Sequence, residues 1–272
     1  MTNEELQQKA AEIRLEGLKA LHRAGLEYSG SCMSVVEILV ALYYEVMKYD
    51  VRRPGSLEQD YLVMGKGQAV AMQYAILADL GFFDKAEMRH LAKVNGVLQG
   101  RPYAKVPGVT LGNLGHGNGL SLGLGLALCL QMERKHNKVF TVLGDGELQD
   151  GQIWEAAQAA AHYKLGNLIC IVDDNKVQGG GLTTSVLEPQ SIQGKFDAFG
   201  WKVIQVRNGH DYDELIGAVQ RAYTTLRKPV CIWAHTVSGK GIGFAEGKPF
   251  YQSAGLSDQE MQEIQSIFSN VQ

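Results

Sequence analysis

Val139 to Gln178, VFTVLGDGELQDGQIWEAAQAAAHYKLGNLICIVDDNKVQ, is the stretch whose reading decides the fold. It opens with an apolar run, Val139-Phe140-Thr141-Val142-Leu143, that stops abruptly at Gly144-Asp145-Gly146. A helical pattern from Gly151 to Tyr163 follows, and a second apolar run, Leu168 to Val172, ends at Asp173-Asp174-Asn175. Two short β-rich runs joined by a helix read as one βαβ crossover with parallel strands. Asp145 and Asn175 then sit just beyond the carboxyl ends of those strands, where open α/β sheets bind ligands. One carboxylate and one amide oxygen can hold a hard cation, most simply a Mg²⁺ that also grips a diphosphate. The spacing alone leaves open the plainer reading that Asp and Asn merely make turns at strand ends.

Outward from this stretch, strands and helices continue to alternate. A short strand at Asp60–Met64 turns at Gly65-Lys66-Gly67 into a helix over Gln68–Leu80. Further strands are expected at Lys202–Val206 and Pro229–His235, separated by a helix from Tyr212 to Leu226. Amphipathic helices are expected over residues 3–26 and Val35–Met47, the second with Ser34 as N-cap and Glu37 completing its capping box. A small helix, Asp84–Lys93, leads into an irregular Gly- and Pro-rich segment from Asn95 to Gly119. Leu120–Met132 is apolar on nearly every face and reads as a buried helix, with Gly123 and Gly125 allowing close packing. The tail, Ser257–Phe268, is a last amphipathic helix opened by a second capping box, Ser257 with Glu260. The expected fold is α/β: a doubly wound, mostly parallel sheet with helices on both faces, in a single domain over residues 1–272.

Composition narrows the function classes. With 272 residues and 45% hydrophobic side chains the chain can build a sizeable core. A net charge of −3 with well-mixed signs gives no footprint for nucleic acid or an anionic membrane. The N-terminus is polar and no apolar run is long enough to span a bilayer, so a cytoplasmic protein is expected. Cys32, Cys129, Cys170 and Cys231 are widely spaced in apolar surroundings, which reads as buried free thiols in a reducing compartment. No GxGxxG joins the first strand to its helix, and no GxxxxGK[ST] occurs, although Ser238-Gly239-Lys240-Gly241 superficially suggests a phosphate loop. Asp145, Glu147 and Asp150 lack the spacing of a calcium-binding hand. The loop Gly112-Asn113-Leu114-Gly115-His116-Gly117-Asn118-Gly119 precedes a helix, so its backbone N–H groups could approach an anion. A flexible connection to a tightly packed helix explains the same glycines.

The succession GDG, a helix, and Asn175 after the next strand resembles the signature of thiamine diphosphate enzymes. The longer string is similar to the transketolase branch, specifically to the separate N-terminal subunit of a split transketolase. The likeness runs through Tyr74–Phe83, the Gly112–Gly119 loop, Ala198–Trp201, Asn208–Asp211 and Val237–Gly241 and so covers nearly the whole chain. It implies the cofactor thiamine diphosphate with Mg²⁺, or Ca²⁺ or Mn²⁺ in its place, ligated by the Asp145 and Asn175 side chains and the Val177 carbonyl. It further implies cofactor contacts from Gly112, Leu114, Gly144, Gly146, Gln68 and Glu155, the last matching a Glu near the subunit boundary. Asp150 stands where the family usually has Glu. The cofactor supplies the carbanion chemistry that breaks a carbon–carbon bond. In the family, activating it needs a Glu from a pyrimidine-binding domain, so the resemblance implies a separate C-terminal subunit carrying that domain, in an α2β2 assembly.

The resemblance breaks at four places where transketolases carry histidine. The family's SGH is Ser29-Gly30-Ser31, its KGH is Lys66-Gly67-Gln68, its GHP is Gly100-Arg101-Pro102, and its WHG is Tyr251-Gln252-Ser253. An imidazole exchanges protons near neutral pH, whereas Gln and Ser only hydrogen-bond and Arg only donates. His116 remains as the imidazole to place near the cofactor; His210 and His235 read as turn and strand-end residues. Candidate catalytic residues are therefore His116, Gln68 and Gln252, and candidate substrate contacts are Ser31, Arg101 and Gln252. Three readings follow: a transferase half with an altered ketose-type donor or an aldehyde or acyl acceptor, an ordinary pentose-phosphate transketolase half, or a non-catalytic scaffold retaining the fold.

Overall fold

Every residue of Val139–Gly144 and of Leu168–Asp174 is buried, as expected of parallel strands covered on both faces. The computed structural model describes residues 1–112 and 115–269. Its main sheet contains β1 (Tyr61–Met64), β2 (Val139–Gly144), β3 (Leu168–Asp174), β6 (Lys202–Val206) and β7 (Val230–His235). The order is β1-β2-β3-β7-β6 with every pair parallel. Between β3 and β6 lies a two-stranded antiparallel hairpin, β4 (Val177–Gln178) and β5 (Gly181–Leu182).

Alternation along the strands divides the core into two layers. Phe140, Val142, Ile169, Ile171 and Ile232 pack on one face beneath α1 (Asn3–Ala24), α3 (Val36–Ala41), α4 (Val70–Asp79) and α9 (Tyr212–Tyr223). Val139, Leu143, Leu168, Cys170, Val172 and Cys231 pack on the other beneath α5 (Gly119–Met132), α6 (Gly151–His162) and α8 (Ile192–Ala198). The short helices α2 (Ser29–Ser34), α7 (Thr183–Val186) and α10 (Phe250–Ser253) lie along the connections, and α11 (Asp258–Ser269) packs on α1. This is the doubly wound α/β arrangement expected from the sequence. The Ser257–Glu260 capping box forms as expected: Glu260 N donates to Ser257 Oγ and Ser257 N to Glu260 Oε2.

Some local expectations are corrected. Ser34 ends α2 rather than capping α3, and its hydroxyl donates to Asp173 at 2.7 Å. The N-cap position of α3 falls on Val35, and the Ser34 oxygen accepts from Lys66 Nζ and Asn175 Nδ2 instead of a helix N–H. Helix α5 is not buried all round: Leu120, Gly123, Ala127 and Leu130 face the sheet, whereas Gly125 and Cys129 are exposed and Met132 is 76% exposed. A helix resting on one sheet layer can bury only one side, and no described element covers the other. Gly123 does permit close approach, since a Cβ there would lie 2.2 Å from Thr141 Cγ2, but one at Gly125 would meet nothing. Cys129 is correspondingly an exposed thiol; Cys32, Cys170 and Cys231 are buried and unpaired.

Glu37 of α3 is buried between the Arg14 guanidinium and His210, whose Nδ1 lies 2.9 Å away. Burial alone would raise this carboxyl, but Arg14 and His210 outweigh it and bring it down to about 2. A depressed carboxylate adds stability that is complete above its ordinary value of 4.5 and is lost as pH falls through the folded value. Glu37→Gln is therefore expected to lower urea stability by about 3 kcal/mol at neutral pH, a deficit that closes as pH approaches 2. A deficit of the same size at every pH would exclude this role for the ionised carboxylate.

Candidate functional site

At the carboxyl edge of the sheet the alternation of β3 continues into Asp173 and Asp174, which point to opposite faces. Asp173 Oδ2 accepts from Lys66 Nζ at 2.5 Å and from Ser34 Oγ, and its Oδ1 accepts from Thr236 Oγ1. Lys66 follows β1 and is almost wholly buried, so a charge pair crosses the floor of the site from β1 to β3. Asp174, on the other face, accepts from Trp233 Nε1 at 2.6 Å, pairs with Lys176 and lies 3.2 Å from His235 Nδ1.

Asp145 and Asn175 stand between these pairs at the ends of adjacent strands. Asp145 is 2% exposed, and Oδ2 takes both of its bonds, from Lys176 N at 3.0 Å and Thr183 Oγ1 at 2.8 Å. Oδ1 has no hydrogen-bond partner among the described residues. Asn175 donates Nδ2–H to Ser34 Oγ and accepts from Val177 N on Oδ1, which fixes its amide orientation and leaves Oδ1 a second lone pair. Glu147, also buried, accepts from Gly144 N at 3.2 Å and Gly117 N at 3.1 Å, tying the glycine loop to the GDG turn. Burial raises its carboxyl against the opposing pull of His116 and of those two amides.

These groups border a cavity of about 390 Å³. Its inner end is acidic, with the buried Asp145 and Glu147, while Asp150 stands with His116 toward the mouth. Its outer end carries Tyr28, Gln68, Arg101 and Gln252. Arg101 lies over the Tyr28 ring, 5.9 Å from its centroid, and donates to Gln68 Oε1 at 3.3 Å, while Gln68 Nε2 donates to Ser31 Oγ. Tyr28 holds a left-handed backbone, φ 72°, an uncommon conformation for a bulky residue and one that clusters at functional sites. Gln252 Oε1 accepts from Ser238 Oγ at 2.9 Å, so its NH₂ group remains as a donor. The His116 ring contacts Asp150 Oδ2 through Nδ1 at 2.5 Å and is half exposed at the mouth.

The cation expected from the sequence can be tested against these groups. Burial, with Asp174 nearby, pushes the Asp145 carboxyl up to about 7, the behaviour of an acid that lacks a counter-charge. Asp145 Oδ1, Asn175 Oδ1 and the Val177 carbonyl form an all-oxygen donor set that suits a hard divalent cation. Among the described residues no group of three His, Cys, Asp or Glu side chains could hold a metal, so soft or imidazole-preferring ions find no comparable cage. The residues present fit the cation.

The structure thus gathers His116, Gln68, Arg101, Gln252, Gly144, Asp145, Gly146 and Val177 around one cavity, with Asn175 buried directly behind it. Other candidates fall elsewhere. Glu155 is exposed on α6 and does not border the cavity, because helical spacing turns it away from the GDG turn. Ser31 is fully buried beneath Gln68 and can reach a ligand only through it. Gly112 stands behind the rim, where a Cβ would lie 3.3 Å from Pro102 O, and Leu114 falls outside the described residues. Lys66, Tyr28 and Glu147 were not singled out by the sequence. For Lys66 a signal existed, a cation between glycines at a strand end, but its acceptor was not identifiable.

Comparison with known proteins identifies what this architecture is similar to. The family model described as "Transketolase, thiamine diphosphate binding domain" matches residues 6–270. Subunit SqwG of 6-deoxy-6-sulfo-D-fructose transketolase from Clostridium sp. (strain MSTE9) is 36% identical, covering 90% of this chain and 89% of that protein. One of the named subunits of apulose-4-phosphate transketolase from Phocaeicola vulgatus is 30% identical, covering 91% and 88%. The chain spans only 42% of human transketolase, at 33% identity. The solved transketolase of Campylobacter jejuni superposes with a TM-score of 0.92 at 27% identity, over 99% of this chain and 43% of that one. The match over almost the whole length, with the buried Asp145–Asn175 pair in place at the strand ends, shows that the chain belongs to the transketolase family as its thiamine diphosphate-binding domain.

Proposed function

We propose that this chain, acting as a single domain, is the diphosphate- and Mg²⁺-binding half of a two-subunit transketolase-like enzyme. It transfers a two-carbon ketol or related acyl unit from a ketose-type donor to an aldehyde or acyl acceptor. The observation that carries the reading is the pair Asp145 and Asn175, buried at the ends of adjacent parallel strands beside a polar cavity. Asp145, Asn175 and the Val177 carbonyl would hold the cation. Gly144 borders the cavity with only Lys66 Cδ, 4.0 Å away, near its Cβ position, and Gly146 admits the Gln178 side chain beside it. When bound, thiamine diphosphate supplies the carbanion chemistry that cleaves the bond beside the donor carbonyl.

The residues of this chain bind and orient. Gln252 offers its NH₂ donors and Arg101 its guanidinium, while Gln68 is oriented by Ser31 and Arg101. The outer end is therefore rich in donors and suited to the oxygens of a polyol or an anionic substituent. His116, held by Asp150, is the only imidazole bordering the cavity among the described residues. It is the imidazole placed there to act as a general acid or base toward a ligand. The naming of two similar proteins as subunits, each covered almost end to end, supports a second polypeptide carrying the pyrimidine-binding domain, in an α2β2 assembly. The uncovered apolar side of α5 supports the same conclusion. Three buried unpaired cysteines fit the cytoplasm, and among the described residues no helix is long and apolar enough to cross a membrane.

The test is assay of the purified chain alone and with its partner subunit, using xylulose 5-phosphate, 6-deoxy-6-sulfofructose and apulose 4-phosphate as donors. Turnover is expected only from the pair, with an altered ketose preferred over xylulose 5-phosphate. In the same preparations one thiol per chain, Cys129, should react rapidly with Ellman's reagent when the chain is alone and slowly in the complex. Turnover by the chain alone would refute the split-site reading.

A further inference from the structure

We infer that a second site, at the amino edge of the sheet, binds a small phosphorylated polyanion. A cavity of about 510 Å³ there is bordered by Arg134, Lys135, His136, Lys138, Lys164 and Arg227, and no carboxylate borders it. This size is ordinary for a small-molecule pocket. A concentration of five fixed cations on a chain of net charge −3 is a strong local asymmetry. Two of the cations are occupied: Lys135 pairs with Glu58, and Lys138 donates to Gly166 O and lies over the Tyr223 ring. The side chains of Arg134, Lys164 and Arg227 have no ion-pair or hydrogen-bond partner among the described residues.

Backbone conformation supplies an independent observation. Arg134, Lys164 and Arg227 each hold a left-handed backbone, with φ of 54°, 55° and 55°. Arg134 and Lys164 stand just past α5 and α6, at helix exits where glycine is the favoured residue for this conformation, and Arg227 lies in the loop between α9 and β7. Cations near helix C-termini are modestly favourable through the helix dipole. That bears on Arg134 and Lys164 taken singly, not on three left-handed, unpartnered cations from three separate loops around a single cavity. The loops are also pressed together, since a Cβ at Gly166 would lie 2.7 Å from Arg227 N. Mutual repulsion among the cations falls when a multiply charged anion joins them, and guanidinium groups bind phosphate oxygens in pairs. The site is separate from the diphosphate grip: Lys138 and Asn167 precede β2 and β3, whose far ends carry Asp145 and Asn175, and six residues at about 3.3 Å each separate the two edges by roughly 20 Å.

The experiment titrates inorganic tripolyphosphate, and separately ATP, into the full chain by calorimetry at low ionic strength with EDTA present. Saturable binding of both is expected, locating recognition in the phosphate chain. The triple variant Arg134→Gly, Lys164→Gly and Arg227→Gly accepts the left-handed backbone without strain, so its Tm should match the parent while its affinity falls at least tenfold. Arg101→Gln, which removes a cation from the border of the cofactor cavity, should bind the same probe unchanged. Absence of saturable heat for either probe, full binding by the triple variant, or loss of binding in Arg101→Gln would overturn the assignment. The last result would place the anion in the cofactor cavity instead.

Discussion

Asp145→Ala is expected to abolish Mg²⁺-dependent binding of thiamine diphosphate while leaving the fold intact. Removing even an outer partner of a bound metal weakens it by about 10–100-fold, and Asp145 is proposed as a direct ligand, so a loss of at least about 100-fold is expected in calorimetry. The fold should tolerate the change because the carboxyl is not a structural counter-ion. Its bonds are to one backbone amide and one hydroxyl, and burial beside Asp174 already disfavours its charge. Asp145→Asn gives the finer contrast, keeping an oxygen donor and the shape but lacking the charge. It should bind more weakly than the parent and more tightly than the alanine variant. Unchanged affinity in both would refute the metal assignment.

Lys66→Met is expected to produce the largest loss of stability. Lys66 and Asp173 are both almost completely buried, and no other cation contacts Asp173 among the described residues. Breaking a buried ion pair by removing one partner costs about 3–5 kcal/mol, because the remaining charge keeps its desolvation penalty. Lys66 also borders the cavity, so its removal takes a positive charge from beside the diphosphate, and urea midpoint and cofactor affinity should fall together. A urea midpoint within error of the parent would show that the pair is not the keystone between β1 and β3. The two variants separate cleanly: Asp145→Ala changes binding without stability, and Lys66→Met changes both.

How much of this was legible in the sequence follows from the range of each interaction. The apolar runs ending at Gly144 and Asp173 revealed two parallel strands, and with them the position of Asp145 and Asn175. Period-two alternation is a local property and survives folding unchanged. The Lys66–Asp173 pair was not legible, because its members are 107 residues apart and only the strand order brings them together. The role of Glu147 is not legible either, because its partners are backbone N–H groups of Gly117 and Gly144, which carry no side-chain signal. Ser31 matched the family by position, yet it is sealed beneath Gln68, and Glu155 stands exposed on α6, open to a subunit boundary. Helix α5 departs from its pattern for a different reason. Apolar residues on every side indicate that a helix will be covered, but not whether its own chain or a partner covers it.

The central claim is that this chain holds the metal–diphosphate half of a thiamine diphosphate site. Calorimetric titration of thiamine diphosphate into the complex with its partner subunit, in Mg²⁺ and again in EDTA, tests it most directly. One saturable site per copy of this chain is expected in Mg²⁺ and none in EDTA. Tight binding that ignores the metal, or no binding in its presence, would contradict it.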